Sequence, residues 1–380
     1  KYKDVTVEWV PQDAAQLSAK LVSAFAAKQG PDIAMGSQYR LVAAEQQFKA
    51  WENLASRVAS DAEMKEIVNA LPKIHVDSYT TSGKVWGLPQ VVQAVGLFVR
   101  KSWMDKLNAK VPEDWTELTA LAERFTKEDP DGNGKADTIG YCTFGAPGVT
   151  NSAGIQFEYS GAAAGMDFPI IDAAGKPSFN TEIGKKVAQY LYDWQHKNKV
   201  TSPDSPTFTH KEFYEVVQAG KCGIGRIGAW NIGSWSSSAI AQDYVVIPYP
   251  PMTKGGKASQ VTWSNGIVMN ASSVNKDATY VVFKALMSKW GQTLFYKKLT
   301  SSARTDLDWA TLATNPGLLY FTKQQPSYVL ELAGVDTFNP ILDILSKYLN
   351  KILADPKTDP IKALEDADKE AQAKYKEMHP

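Results

Sequence analysis

The chain has 380 residues, 44% of them apolar and 22% charged, and its 41 lysines and arginines balance 41 aspartates and glutamates. That length exceeds one compact domain and predicts two lobes with separate cores. Balanced charge excludes a global basic field for nucleic acid, and no apolar run reaches the roughly eighteen residues that a membrane helix needs. The two cysteines, Cys142 and Cys222, read as buried small apolar side chains in preference to a disulfide, which the sequence leaves open.

In chain order, "DVTVEWV" alternates β-branched and polar residues and predicts a strand. "DAAQLSAKLVSAFAAKQG" is apolar at helical spacing from an aspartate cap to a glycine stop. "PDIAMGS" predicts a short strand and "YRLVAAEQQFKAWENL" a helix, followed by a buried strand in "AVGLFVRKSWM". "DWTELTALAERFTK" is an amphipathic helix with Asp114 as cap and Glu117 three residues on, a capping-box pattern. "SFNTEIGKKVAQYLYDWQHKN" and "THKEFYEVVQAG" predict helices, "KCGIGRIGAW" and "DYVVIPYP" strands. "NKDATYVVFKALMSKWGQTLFYKKL" predicts one long helix, and the tail from Asn339 is helical. Alternating strands and helices define an α/β fold with a mainly parallel sheet in each lobe. Trp86, Trp115, Trp194 and Trp290 are expected in cores or on helix faces.

"KEDPDGNGKADTIGY" alternates oxygen-bearing side chains in the spacing of a calcium loop. Asp129, Asp131, Asn133 and Asp137 fall at positions one, three, five and nine, Lys135 offers its carbonyl at seven, and Gly134 makes the turn at six. Gly140 stands where the usual bidentate glutamate would. Hard carboxylates without histidine or cysteine argue for calcium over zinc; the competing reading is an Asx-rich turn that needs no ion.

Six blocks in order resemble the carbohydrate-binding family of extracytoplasmic solute-binding proteins of ABC importers, which includes maltose-binding protein. They are "LVSAFAAKQGPDIAMGS", "GKVWGLPQVVQAVGLFVRKSWMDKLNAKVPEDWTEL", "VVQAGKCGIGRIGAW", "YVVIPYPPMTKGGK", "SNGIVMNASSVNKDATYVVFKALMS" and "DTFNPILDIL". The resemblance implies a two-lobed periplasmic-binding-protein fold with three hinge crossovers near residues 92, 262 and 304. The N-lobe would comprise 1–92 and 263–304, the C-lobe 93–262 and 305–380. Phe98-Val99-Arg100-Lys101 departs from the family's Tyr-Tyr-Asn-Lys. Lys1 aligns with the start of the family's second strand, so the first strand and helix of the N-lobe are expected upstream of this numbering. Similar acidic loops follow the Trp-Glu-Leu helix in this family, alginate-binding members included, which supports a structural calcium site remote from the cleft.

Sugars present apolar faces and a ring of hydroxyls, so their sites need flat aromatics and planar polar groups. "GIGRIGAWNIGSW" is the richest stretch, and the family's Gly-x-Trp places Trp230 in the cleft, with Asn231, Arg226 and Trp235 beside it. On the other lobe Ser37, Gln38 and Tyr39 follow a strand, Gln90 and Gln93 flank the first crossover, Trp263 and Asn265 lie at the second, and Arg304 near the third. Each has a plain structural alternative: lobe packing, an ordinary turn, a solvent-facing hinge, or a salt bridge for Arg304. The implied function is capture of a sugar or oligosaccharide by a monomeric, periplasmic or otherwise extracytoplasmic receptor and delivery to an ABC permease, with no membrane insertion and no nucleic acid. A polyol, polyamine or cation receptor is the alternative. An enzyme is disfavoured, since the chain shows no nucleophile-elbow, zinc-protease or phosphate-loop pattern and has only four histidines.

Overall fold

The computed structural model of the chain describes residues 5–12, 16–81, 83–148, 152–259, 261–299, 301–312, 320–321, 328–329 and 337–380. It divides into unit 1, Lys1–Gln93 with Thr262–Thr322, and unit 2, Ala94–Val261 with Lys323–Pro380.

The elements that matter here are, in chain order, α1 (Leu17–Ala26), β1 (Ile33–Ser37), α2 (Gln38–Phe48), β2 (Leu88–Arg100), α3 (Trp115–Lys127), β3 (Ile139–Cys142) and α4 (Ala153–Ala163). They continue with α5 (Glu182–His196), α6 (His210–Gln218), β4 (Cys222–Gly228), α7 (Ala229–Ser234), β5 (Tyr244–Ile247), β6 (Val261–Met269), α8 (Lys276–Met287), α9 (Lys289–Leu299), α10 (Phe338–Ala354) and α11 (Pro360–Met378).

Unit 1 is built on β6, which pairs antiparallel with β1 from Ile33↔Met269 to Ser37↔Asn265 and has β2 on its other side. Leu54, Met64, Ile67, Leu88, Ile267, Phe283 and Met287 form a buried core beside this sheet. In unit 2 the second half of β2 pairs antiparallel with both β4 and β5, and β3 runs parallel to β4. The expected mainly parallel sheets are therefore corrected: β6 with β1 and β2 with β4 and β5 are antiparallel, and β3 with β4 is parallel. Here β2 and β6 carry the chain across the unit boundaries, β6 running against β1 and β2 against β4 and β5.

Helix α10 lays Ile341, Leu342, Leu345, Leu349 and Ile352 on one buried stripe and packs against α4, α5 and α11. Burying each such side chain contributes about 1.5–3 kcal/mol. Asp114 caps α3 through the Glu117 N–H at 2.8 Å, while the Glu117 carboxylate accepts from the Glu113 N–H at 2.9 Å and not from that of Asp114, so the capping box is displaced by one residue. Cys142 and Cys222 are both buried and their sulfurs lie within bonding distance, which favours the disulfide over two free thiols. No helix among the described residues is long and apolar enough to cross a membrane.

Two further expectations fail. Residues 5–12, which include the described part of "DVTVEWV", form no strand and do not pair with β1; Val7, Trp9 and Val10 are 58%, 64% and 62% exposed. Alternation makes a strand only where a ladder partner exists, and none is found among the described residues. The long helix over 275–299 is broken at Ser288, whose ψ is 163°. Its hydroxyl accepts from the Gly291 N–H at 3.2 Å, restarting the chain as α9. Trp86, Trp115 and Trp194 are buried and Trp290 lies on the surface of helix α9, 68% exposed, all within the expected core or helix-face placement.

Candidate ligand site

The expected site residues fall in both units. In unit 1, Ser37 ends β1 opposite Asn265, and its hydroxyl donates to Asn265 Oδ1 at 2.8 Å and accepts from Arg40 at 3.1 Å. Gln38 is buried; its Nε2 donates to the Ser78 carbonyl, and its Oε1 has no donor among the described residues. The Tyr39 side chain lies outside the described residues. Gln90 is buried with Nε2 3.7 Å from the Met35 sulfur. Gln93 and Trp263 are half-buried. Arg304 is placed elsewhere: buried to 1% exposure, it donates to Glu66, Asp306 and the Met287 carbonyl. Its fork of donors is spent inside unit 1, as in the salt-bridge alternative, with the guanidinium buried and its carboxylate partners partly exposed.

Unit 2 builds a denser cluster. Strand β4 is buried along its whole length and carries Arg226, 4% exposed. The guanidinium lies 4.9 Å from the Phe144 ring centroid, 5.8 Å from that of Trp230 and 6.0 Å from that of Tyr159. Its Nη2 is 3.0 Å from His210 Nε2, and its Nη1 donates to the Tyr159 hydroxyl at 3.5 Å. Burial works against the charge, but the phenol oxygens of Tyr159, Tyr214 and Tyr249 more than offset it and hold the pKa above the ordinary arginine value. His210 moves the opposite way: burial and the Arg226 charge push it down to about 3, so the ring is neutral and accepts from Arg226.

At the end of β4 the chain turns into α7 at Gly228. A Cβ there would stand 2.1 Å from the Trp230 indole, so glycine makes the room that the ring occupies. The Trp230 Nε1 donates to the Tyr214 hydroxyl at 2.7 Å. Asn231 is buried and spends its Oδ1 on the Gly228 N–H at 2.9 Å. Trp235 is buried edge-on to Phe98 and Tyr214, with centroids 5.8 and 5.5 Å away. Asn231 Nδ2 and Trp235 Nε1 are buried donors without an acceptor among the described residues. His210, Tyr214 and Phe144 were not anticipated. The signal for the first two was present, since positions 210 and 214 share a helix face and their rings meet at 3.9 Å.

A hollow of about 520 Å³ between α3 and α5 is lined by Trp115, Tyr190, Glu123 and Asp193, among others. Its carboxylates are already engaged, Glu123 by Asn198 and Asp193 by Lys197, so it is a weaker candidate.

The acidic loop folds as a tight turn, with Asp129 at φ 47° and Gly134 at φ 79°. Asp129 accepts from the N–H groups of Asn133 and Gly134 at 3.0 and 3.1 Å. Asp131 and Asp137 both accept from Asn133 Nδ2, at 2.9 and 3.0 Å, and Lys221 lies 2.8 Å from Asp137. Lys221 and the Asn133 amide hold the Asp137 carboxyl below its usual range. No group of three or more metal-ligating His, Cys, Asp or Glu side chains forms among the described residues. The side chains offer oxygens of the kind a hard cation takes, but Asp131 and Asp137 here converge on the Asn133 amide nitrogen.

The fold is that of the two-lobed, MalE-like binding proteins. Maltose-bound MalE3 of T. maritima superposes with a TM-score of 0.78 at 20% identity, covering 98% of this chain and 92% of that one. A ribitol complex of an ABC transporter solute-binding protein from Agrobacterium radiobacter K84 gives 0.75 at 20% identity, covering 95% and 90%. At such identities the likeness shows the fold. The chain belongs to the bacterial extracellular solute-binding protein family, whose model matches residues 1–293. Among curated proteins, the polygalacturonan/rhamnogalacturonan-binding protein YtcQ of Bacillus subtilis (strain 168) is 30% identical over 166 residues, 41% of this chain and 31% of that protein. The fructooligosaccharide ABC transporter substrate-binding protein FusA of Streptococcus pneumoniae is 23% identical over 265 residues, 64% of this chain and 47% of that protein. The matches thus span less than half the length of either relative.

Proposed function

We propose that this protein captures a sugar or oligosaccharide outside the cytoplasm and delivers it to the permease of an ABC importer, without chemical turnover. The observation that carries this reading is the Arg226 cluster, where the Trp230, Tyr214 and Tyr159 rings stand among planar nitrogen donors. Aromatic faces suit the apolar side of a sugar ring, and fixed donors suit its oxygens. Relatives named for pectin-type polysaccharide binding and for fructooligosaccharide transport support the same class. Trp230, Asn231, Arg226 and Trp235 of unit 2, with Ser37, Gln38, Tyr39, Gln90, Trp263 and Asn265 of unit 1, are the proposed contact residues. Arg304 is left out because its donors are committed.

Hinge motion at the chain crossings near 93/94 and 261/262 is proposed to accompany binding. Calcium held by Asp129, Asp131, Asn133, Asp137 and the Lys135 carbonyl is proposed as a structural cofactor. A polyol is the second reading, favoured by the ribitol-bound structural relative. Differential scanning fluorimetry against neutral sugars, acidic sugars and polyols, with chromatography of the ligand afterwards, tests these points. A receptor raises its melting temperature and returns the ligand intact. Product formation would identify an enzyme instead.

A further inference from the structure

Cys142 and Cys222 are 80 residues apart in the chain, yet their Cα atoms stand 5.9 Å apart in unit 2, inside the range that a disulfide spans. Cys142 is the last residue of β3 and Cys222 the first of β4. Strand β3 has four residues, stands at the end of the strand order and pairs with β4 alone among the described residues. An edge strand shorter than the usual length of about five or six residues has few ladder bonds to hold its end in place.

The chain leaves the sheet directly after Cys142, and two residues on comes Phe144, whose ring is fully buried. That ring lies 4.9 Å from the Arg226 guanidinium and edge-on to His210 and Phe213 of α6, at 6.4 and 5.6 Å. Beyond Phe144 the chain is pinned, since Asn350 Nδ2 donates to the Gly145 carbonyl at 2.8 Å and the Ala146 N–H to the Phe208 carbonyl at 3.1 Å. Before Phe144 the nearest fixed point is the end of β3. On the neighbouring strand Arg226 comes four residues after Cys222. Helix α6, against which Phe144 packs, carries the Tyr214 hydroxyl that accepts from Trp230.

Resting on the reading of this cluster as the sugar site, we infer that the Cys142–Cys222 disulfide is a positioning element of that site. It fixes where the chain leaves β3, and through Phe144 and α6 it sets where the Trp230 indole stands. Two small apolar side chains at these positions would fill the same space without fixing the strand end.

The test uses the full chain without sugar, so its outcome is separate from that of sugar capture. Thiol titration of the denatured, unreduced protein should find no free thiol, and two free thiols would overturn the inference at once. Protein reduced in denaturant and refolded under reductant keeps every side chain and loses only the bond. In nitrogen–proton correlation spectra the Trp230 indole peak, assigned by its loss in Trp230→Phe, should move by more than its linewidth in the reduced protein. The Trp290 indole, on helix α9 of unit 1, should stay in place. A lower melting temperature with the Trp230 peak unmoved would show that the bond serves stability alone, which overturns the inference. Phe144→Leu, with the disulfide intact, should move the same peak and gives an answer even if the reduced chain does not refold. An unmoved peak in that variant breaks the relay through Phe144 and overturns the inference as well.

Discussion

The indole N–H of Trp230 donates to the Tyr214 hydroxyl at 2.7 Å, a bond between helix α7 and the preceding helix α6. It holds the Trp230 ring beside Arg226, and Gly228 leaves the space for it. Trp230→Ala should weaken sugar binding about ten-fold or more, since a lost aromatic contact costs on the order of 1–3 kcal/mol. Tyr214→Phe removes the acceptor and keeps the ring, so its effect should be smaller, a few-fold. Calorimetry with circular dichroism as the folding control checks both, and unchanged affinity in Trp230→Ala would take the indole out of the site.

Acid stability should report on His210. Its folded pKa of about 3 lies below the ordinary 6.5, so the unfolded chain takes up a proton that the folded chain refuses. The stabilisation is complete above pH 6.5 and is lost as pH falls from 6.5 towards 3, at up to about 1.4 kcal/mol per pH unit. His210→Asn should therefore flatten the decline of the denaturation midpoint across that window. Identical pH profiles for the two proteins would show that the ring is not held neutral.

Chelation tests the acidic loop. Without a cation, the carboxylates of Asp129, Asp131 and Asp137 rely on Asn133, backbone amides and Lys221. An ion at a hundred times its dissociation constant stabilises by about 2.7 kcal/mol. A chelator should thus lower the melting temperature by a few degrees. Asp131→Ala should abolish the response to chelator while leaving the shift produced by sugar. A melting curve indifferent to chelator and to added calcium would reduce the stretch to a polar turn.

Arg304→Met separates structure from binding. The substitution removes the guanidinium tied to Glu66, Asp306 and the Met287 carbonyl. Its cost should be on the order of 1–3 kcal/mol, because both carboxylates are partly exposed and regain water. Sugar affinity should be unchanged. A variant of full stability with weakened binding would return Arg304 to the ligand site.

The sequence was informative where local chemistry decides the outcome. Helices α5 and α6 carry a strong apolar period and the Thr181 and Thr209 caps, and both form where expected. Helix α4 was not recognised because Ala153 to Gly161 are all buried, so no polar face marks a period. The break at Ser288 was hidden by apolar spacing that continues through it, although a serine three residues before a glycine was the available sign. Strand direction was misjudged because connection length does not reveal that β2 and β6 cross between units. In the site, Trp230 and Arg226 stand in one short motif, whereas His210 and Tyr214 reach Arg226 and Trp230 only through the packing of α6 on β4.

The placement of β6 also bears on how the chain is made. This strand lies between β1 and β2, yet it is synthesised only after all of 94–261. At ribosomal rates of about 5–20 residues per second, β1 and β2 would wait on the order of ten to thirty seconds for their shared neighbour. The Ser37–Asn265 bond then closes across 228 residues, a separation that makes for slow folding. Until it closes, two strands of unit 1 have open edges able to pair with other chains, so a nascent copy gains from being kept apart from its neighbours.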